Sequence, residues 1–199
     1  MELAVGLHLE NRHTGEQLQL ARVTKDGKPA LALRGSLGPR GQGPLLHIHS
    51  QEDEECHVIA GELSAEVDGR HVRLRAGETT TFRAGAPHRW WNDGDETLTL
   101  GGFVTPLVDL DVYVQGVFDV INASPPHRPS LFYMAHLALR HRRTQVALFI
   151  PRSLQAVLLP LVVAIGTVLG KYRGDDWPGA PRRCTGAPPL ASGEPTGAH

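Results

Sequence analysis

Covalent cross-linking has little to work with in this chain: two cysteines occur in 199 residues, Cys56 inside a predicted strand and Cys184 in a Pro/Gly-rich C-terminal stretch. Residues so differently placed make a poor disulfide pair, and a reducing cytoplasm is the expected setting. An excess of positive charge is also missing. Twenty Lys and Arg stand against 21 Asp and Glu, a formal net charge of -1. No global field is therefore available to hold a nucleic-acid backbone or an anionic surface, and the expected partner is a small molecule rather than a polyanion. The opening residues, MELAVGLHLENRHTGE, lack the basic segment and apolar stretch of a secretory leader. No internal repeat is visible. What remains is a chain with 41% hydrophobic and 21% charged residues, enough apolar material for one sizeable core and too little length for a second full domain.

From Gly6 to about Val104 short β-branched and apolar runs alternate with Gly, Asp and Asn, the rhythm of an all-β sandwich or barrel. Runs at 45–49, 57–60, 63–67, 71–74, 79–82 and 97–104 read as strands, and Asp68-Gly69 as a tight hairpin turn. After Thr105-Pro106 the period changes: Leu107, Leu110, Val114, Val117, Phe118 and Ile121 recur every three or four residues, as on an amphipathic helix. A second helix is expected from Ser130 to about His141, and a third from Pro151 to near Gly170. The expected organisation is thus a β-barrel over 1–105, a helical extension over 106–173 and an unstructured Pro/Gly/Ala-rich tail over 174–199. Within the third helix, Leu154 to Leu169 is apolar nearly all round. A spanning helix needs about 20 such residues. This run is shorter and carries Pro160 and Gly166, so burial against the barrel or across a dimer interface is expected, with membrane association the competing reading.

Two stretches carry the chemistry. In the first, Gly41, His47, His49, Glu54 and Gly61 stand in the order Gly, five residues, His-x-His, four residues, Glu, six residues, Gly. In the second, Gly77, Gly85, His88 and Asn92 stand in the order Gly, seven residues, Gly, two residues, His, three residues, Asn. These spacings resemble the two motifs of the cupin superfamily, whose second motif also asks for a Pro where this chain has Arg83. The order of elements and the phrase PHRWWNDGDE, from Pro87 to Glu96, are further similar to small bacterial single-cupin proteins with a helical C-terminal extension. The resemblance implies a double-stranded β-helix, or jelly-roll, barrel with C-terminal α-helices packed on it, and a homodimer. It also implies a metal held by His47, His49, Glu54 and His88.

That ligand set makes physical sense. His47 and His49 lie two apart on a strand, so both imidazoles point to one face. Glu54 begins the next strand after a polar turn, and His88 arrives from a distant hairpin. Two imidazoles and a carboxylate form the facial arrangement of non-haem Fe(II) sites, and a third imidazole widens the choice of divalent transition metal to Mn, Ni, Cu or Zn. Glu52, Asp53 and Glu55 belong to an acidic run read as a solvated turn; register alone selects Glu54, with one of these three as the alternative ligand. Strand parity then turns Cys56 and Val58 inward with Glu54, and Trp90 shares the parity of His88. Cys56, Val58, Phe82 and Trp90 are therefore the candidates to line a pocket, with plain core packing as their alternative role. Gly61, Gly77 and Gly85 are expected at turns that need positive φ. Arg140 to Arg143, RHRR, reads as a solvated helix end favourable to the C-terminal dipole.

The function these residues suggest is a metal-dependent enzyme acting on a small aromatic or polyketide-like molecule, a quercetinase-like dioxygenase in the first reading, with Glu54 as ligand and as general base. A metal-dependent cyclase or isomerase and a non-catalytic small-molecule sensor are the alternatives.

Overall fold

The computed structural model describes residues 6–181. Cys184, His199 and most of the expected tail lie outside the described residues. Ten strands come first: β1 (Leu7–Glu10), β2 (Gln17–Lys25), β3 (Lys28–Leu37), β4 (His47–His49), β5 (Asp53–Ala60), β6 (Glu62–Val67), β7 (Arg70–Arg75), β8 (Thr79–Phe82), β9 (His88–Trp91) and β10 (Leu98–Thr105). Then follow α1 (Leu110–Asn122), α2 (Leu131–His141), a short strand β11 (Gln145–Ala147) and α3 (Arg152–Val168). The strands pair antiparallel in two sheets, ordered β1-β2-β3-β10-β5-β8 and β11-β4-β9-β6-β7.

Period-two patterning decides which side chains meet between the sheets. Along β5, Glu54, Cys56 and Val58 are buried while Asp53, Glu55 and His57 are only partly so. One apolar core joins Leu31, Leu33, Val58, Phe82, Leu98 and Leu100 of the first sheet to Leu63, Ala65 and Leu74 of the second. Each of these Leu, Val and Phe side chains, fully buried, contributes about 1.5–3 kcal/mol. The β6–β7 hairpin turns on Asp68 and Gly69, both at positive φ (49° and 74°), as a two-residue loop matched to strand twist requires. Gly61, Gly77 and Gly85 also have positive φ. At Gly61 a Cβ would stand 2.9 Å from the Thr97 carbonyl oxygen, so the turn has neither the conformation nor the space for a side chain.

The C-terminal third departs from the expected all-helical extension at β11. Gln145, Val146 and Ala147 pair with His49, Ile48 and His47, so the extension adds a strand to the sheet that carries the two histidines. Three residues are too few to show a period; the free edge of β4 makes them a strand. The last helix has the expected extent but not the expected burial against the barrel. It runs unbroken through Pro160 and packs on α2 instead of burying itself against the sheets; Gly166 is its one buried residue. Leu154, Val157, Leu161, Ile165 and Val168 are exposed, up to 84% at Val168. No helix among the described residues is long and apolar enough to cross a membrane. Of the expected tail, residues 174–181 are described, and Trp177 packs on Tyr133, His136 and Tyr172.

Candidate metal centre

Four side chains from three strands converge between the sheets. His47 and His49 come from β4, Glu54 from β5 and His88 from β9, which pairs with β4 at His47. One ligand-type atom from each lies within 4.8 Å of those of the others. The Nε2 atoms of His47 and His49 are 3.2 Å apart, His49 Nε2 is 3.1 Å from Glu54 Oε2, and His88 Nε2 is 3.5 Å from the same oxygen.

The opposite edge of each ring explains this convergence. His47 Nδ1 donates to the Leu45 carbonyl at 2.7 Å, and His88 Nδ1 to the Ala86 carbonyl at 2.9 Å. His49 Nδ1 donates to Gln145 Oε1 at 2.5 Å. With Nδ1 carrying the proton in each neutral ring, every Nε2 lone pair faces the shared centre. His88 Nε2 is buried and has no hydrogen-bond partner, an arrangement that a cation at the centre would satisfy.

Electrostatics separates the four. Burial, with neighbouring His49 and His88 adding to it, pushes the His47 imidazole down to about 3, so it stays neutral through the physiological range. Burial would raise the Glu54 carboxyl, but its contacts with His49 and His88 outweigh it and hold Glu54 well below the ordinary carboxylate range. His49 is shifted the other way: burial disfavours its cation, and Glu54 more than compensates. A buried carboxylate beside the neutral His47 ring favours a cation by charge as well as by geometry.

Glu52 is not in a solvated turn. It is fully buried, and its Oε1 accepts the backbone N–H of Val108 at 2.8 Å while its Oε2 accepts from Gln145 Nε2 at 2.5 Å. The carboxylates, being acceptors only, fix the amide's orientation: Gln145 turns its NH₂ toward Glu52 and Asp109, leaving its oxygen for His49. His141 and Thr144 complete the network on Asp109 Oδ2, at 2.6 and 2.9 Å. The other two acids of the run have partners of their own: Asp53 with Arg83 and the Ala84 N–H, Glu55 with Lys25. Arg83, standing where the motif has Pro, thus ties its turn to the strand carrying Glu54.

The four candidate lining residues all pack into or against the apolar core. Cys56, Val58 and Phe82 belong to the apolar core, with Phe82 stacked on His88 at 4.6 Å. Burial and the Glu54 charge push the Cys56 thiol up to about 12, which leaves it unreactive. Trp90 packs against the same core, whereas Trp91 faces His71 and Arg89. Sequence reasoning missed Glu52, Asp109 and Gln145. The acidic run was the one local signal for Glu52; nothing local marks Gln145, 96 residues from the His49 it touches.

A family model described as "Cupin domain" matches residues 34–111. Among solved structures, KdgF from Halomonas sp. is 22% identical over 49% of this chain and 84% of its own, with a TM-score of 0.42. A predicted oxalate decarboxylase from Thermotoga maritima is 24% identical over 52% of this chain and 93% of its own, with a TM-score of 0.41. A mutant of salicylate 1,2-dioxygenase from Pseudoaminobacter salicylatoxidans is 28% identical over 38% of this chain and 21% of its own, with a TM-score of 0.35. No curated protein matches the sequence.

Proposed function

Because this chain is a member of the cupin superfamily, with its cupin domain at residues 34–111, we propose that it is a metal-dependent enzyme acting on a small organic molecule. His47, His49, Glu54 and His88 would hold the divalent transition metal. The observation that carries this reading is the convergence of three Nε2 atoms and one carboxylate oxygen, with His88 Nε2 otherwise unpartnered. A metal held by such nitrogen and oxygen donors supplies Lewis acidity and, where it is redox-active, a means of activating oxygen.

The chain's own residues hold this site ready. Leu45, Ala86 and Gln145 fix the three ring orientations through Nδ1. Phe82 closes one side of His88 with an apolar ring and keeps water from it. Glu54 has low proton affinity, which suits a ligand; service as a general base would require that affinity to rise. Among reactions, the mixed imidazole and carboxylate set favours a dioxygenase of the quercetinase-like type on an aromatic or polyketide-like substrate. A cyclase or isomerase would use the same site without oxygen.

Metal content of protein purified without chelator tests the site. Wild type should carry near-stoichiometric metal and His47→Ala or His88→Ala should lose it; equal trace metal in all three refutes the proposal. Turnover of flavonol, enol and cyclic ketone panels with and without oxygen then separates the two chemistries. Metal-replete protein that binds ligands and yields no product under either gas is a sensor.

A further inference from the structure

Two cavities lie outside the metal centre, and they treat their arginines differently. The first, ≈ 500 Å³, holds Arg40 and Arg73 beside Glu62, Asp93, Asp95 and Glu96. Both arginines are paired there, Arg40 with Asp95 at 2.7 Å and Arg73 with Asp93 at 2.9 Å. The second, ≈ 710 Å³, lies between the end of α2, β11 and the start of α3, and its lining includes Arg142, Arg143 and Arg152 but no carboxylate. Arg142 gives one N–H to the Leu139 carbonyl, as a cation at a helix C-terminus commonly does. Arg143 and Arg152 have no side-chain hydrogen bond or ion pair among the described residues. Helix-end chemistry therefore accounts for one of the three. Guanidinium groups around one cavity repel one another unless an anion joins them, and their planar donor forks match the oxygens of such an anion.

The cavity is shaped before a ligand arrives. The Thr144 carbonyl accepts the Ser50 N–H at 2.7 Å, which holds the Arg142–Arg143 turn against the chain leaving β4. Gln155 Nε2 donates to the carbonyls of Ala147 and Ile150 at 2.7 and 2.6 Å, tying the segment between β11 and α3 to the start of that helix. Strand alternation turns Gln145 inward to His49 and Val146 outward to the cavity, where Leu139 and Leu159 complete an apolar wall. From α3 the lining takes Arg152, Gln155, Ala156 and Leu159, which share one helix face. The exposed stripe from Leu154 to Val168 lies on the opposite face and takes no part.

We propose that this cavity is a binding site for a small organic phosphate, with the phosphoryl group on the three guanidinium groups and a compact apolar body against Leu139, Val146 and Leu159. A phosphate monoester brings up to two charges and three free oxygens to three forks, whereas a carboxylate brings one charge and two oxygens, enough for one bidentate fork. The cavity volume falls in the range of about 300–1,000 Å³ that suits a whole small molecule, so head and body are held together inside it. The site does not depend on the metal, from which the β4–β11 ladder separates it.

The test is calorimetric titration of the full chain with phenyl phosphate, inorganic phosphate and benzoate. Phenyl phosphate should bind saturably and roughly tenfold or more tightly than either of the others, because only it uses both the forks and the wall. Arg142→Gln/Arg143→Gln/Arg152→Gln should weaken it roughly a hundredfold, since charged hydrogen bonds are lost from exposed side chains that the fold does not need. A second variant removes no contact: Ala156→Glu places a carboxylate among the arginines and should abolish binding. Four results overturn the proposal: no saturable binding of phenyl phosphate, binding that survives either variant, inorganic phosphate or benzoate binding as tightly, or binding that disappears when a chelator strips the metal, which would place the anion on the metal instead.

Discussion

The two-strand ladder of β4 and β11 separates two differently managed sets of charges. On its inner side, three imidazoles surround one carboxylate in a buried site, and a second buried carboxylate, Glu52, is saturated by backbone and amide donors. On its outer side, three arginines share a cavity with no carboxylate among its lining residues. The difference follows from solvent. A buried ion must find its partners within the chain, because an unpaired one costs several kcal/mol. An exposed cation can stay unpaired until a ligand arrives, since water and salt screen it. The inner side is therefore where removing one atom has large consequences.

The largest consequence is expected at Glu52. Glu52→Ala would leave the Val108 N–H and one Gln145 donor buried without acceptors. The metal-free protein should lose about 2–4 kcal/mol in urea denaturation. A loss under about 0.5 kcal/mol would mean that water takes over, and that the inner side is less sealed than its geometry indicates.

Next comes Gln145→Ala, which frees the His49 ring to rotate and removes the amide donor from Glu52 Oε2, while Glu52 Oε1 keeps its backbone N–H partners. Metal affinity, measured by competition with a chelator, should fall about 10–100-fold, the usual effect of losing a hydrogen-bond partner behind a histidine ligand. Unchanged affinity would reduce Gln145 to a packing residue.

These two residues also mark the limit of what the sequence discloses. The ligand histidines, Glu54 and the glycine turns are legible because they fall in two short stretches of fixed spacing, and along each strand side-chain direction follows from the chain itself. The same alternation places Cys56 and Val58 inward, yet parity does not distinguish a cavity wall from a filled core; only packing against the second sheet does. Glu52 and Gln145 meet across 93 positions, through a strand that exists only because β4 offers an edge. RHRR shows its charge in the sequence, but its approach to Arg152 depends on how α2 and α3 pack.

A smaller effect is expected where the outer region buries a titratable group. His136 on α2 lies against Tyr172 and Trp177, at 4.8 and 4.7 Å, with Tyr133 in the same cluster and Arg140 one turn on. Burial and the Arg140 charge lower its proton affinity. The unfolded chain then binds the proton first as pH falls below about 6.5. Stability is full above that pH and declines toward the lower folded-state value. His136 is partly exposed, so the decline should stay below about 1 kcal/mol after solvent screening. His136→Phe should flatten the thermal-unfolding profile between pH 7 and pH 5 by that amount; an unchanged slope would assign it to other groups.

The smallest effect is the one that best tests the contrast. Leu161 is 53% exposed, and Leu161→Asn removes no contact that the folded monomer relies on. Its stability should change by less than about 0.5 kcal/mol, as for other surface substitutions. A loss of 2 kcal/mol or more, growing with protein concentration, would show a second copy covering α3, because only association makes stability depend on concentration. The α3 face would then be an interface between chains.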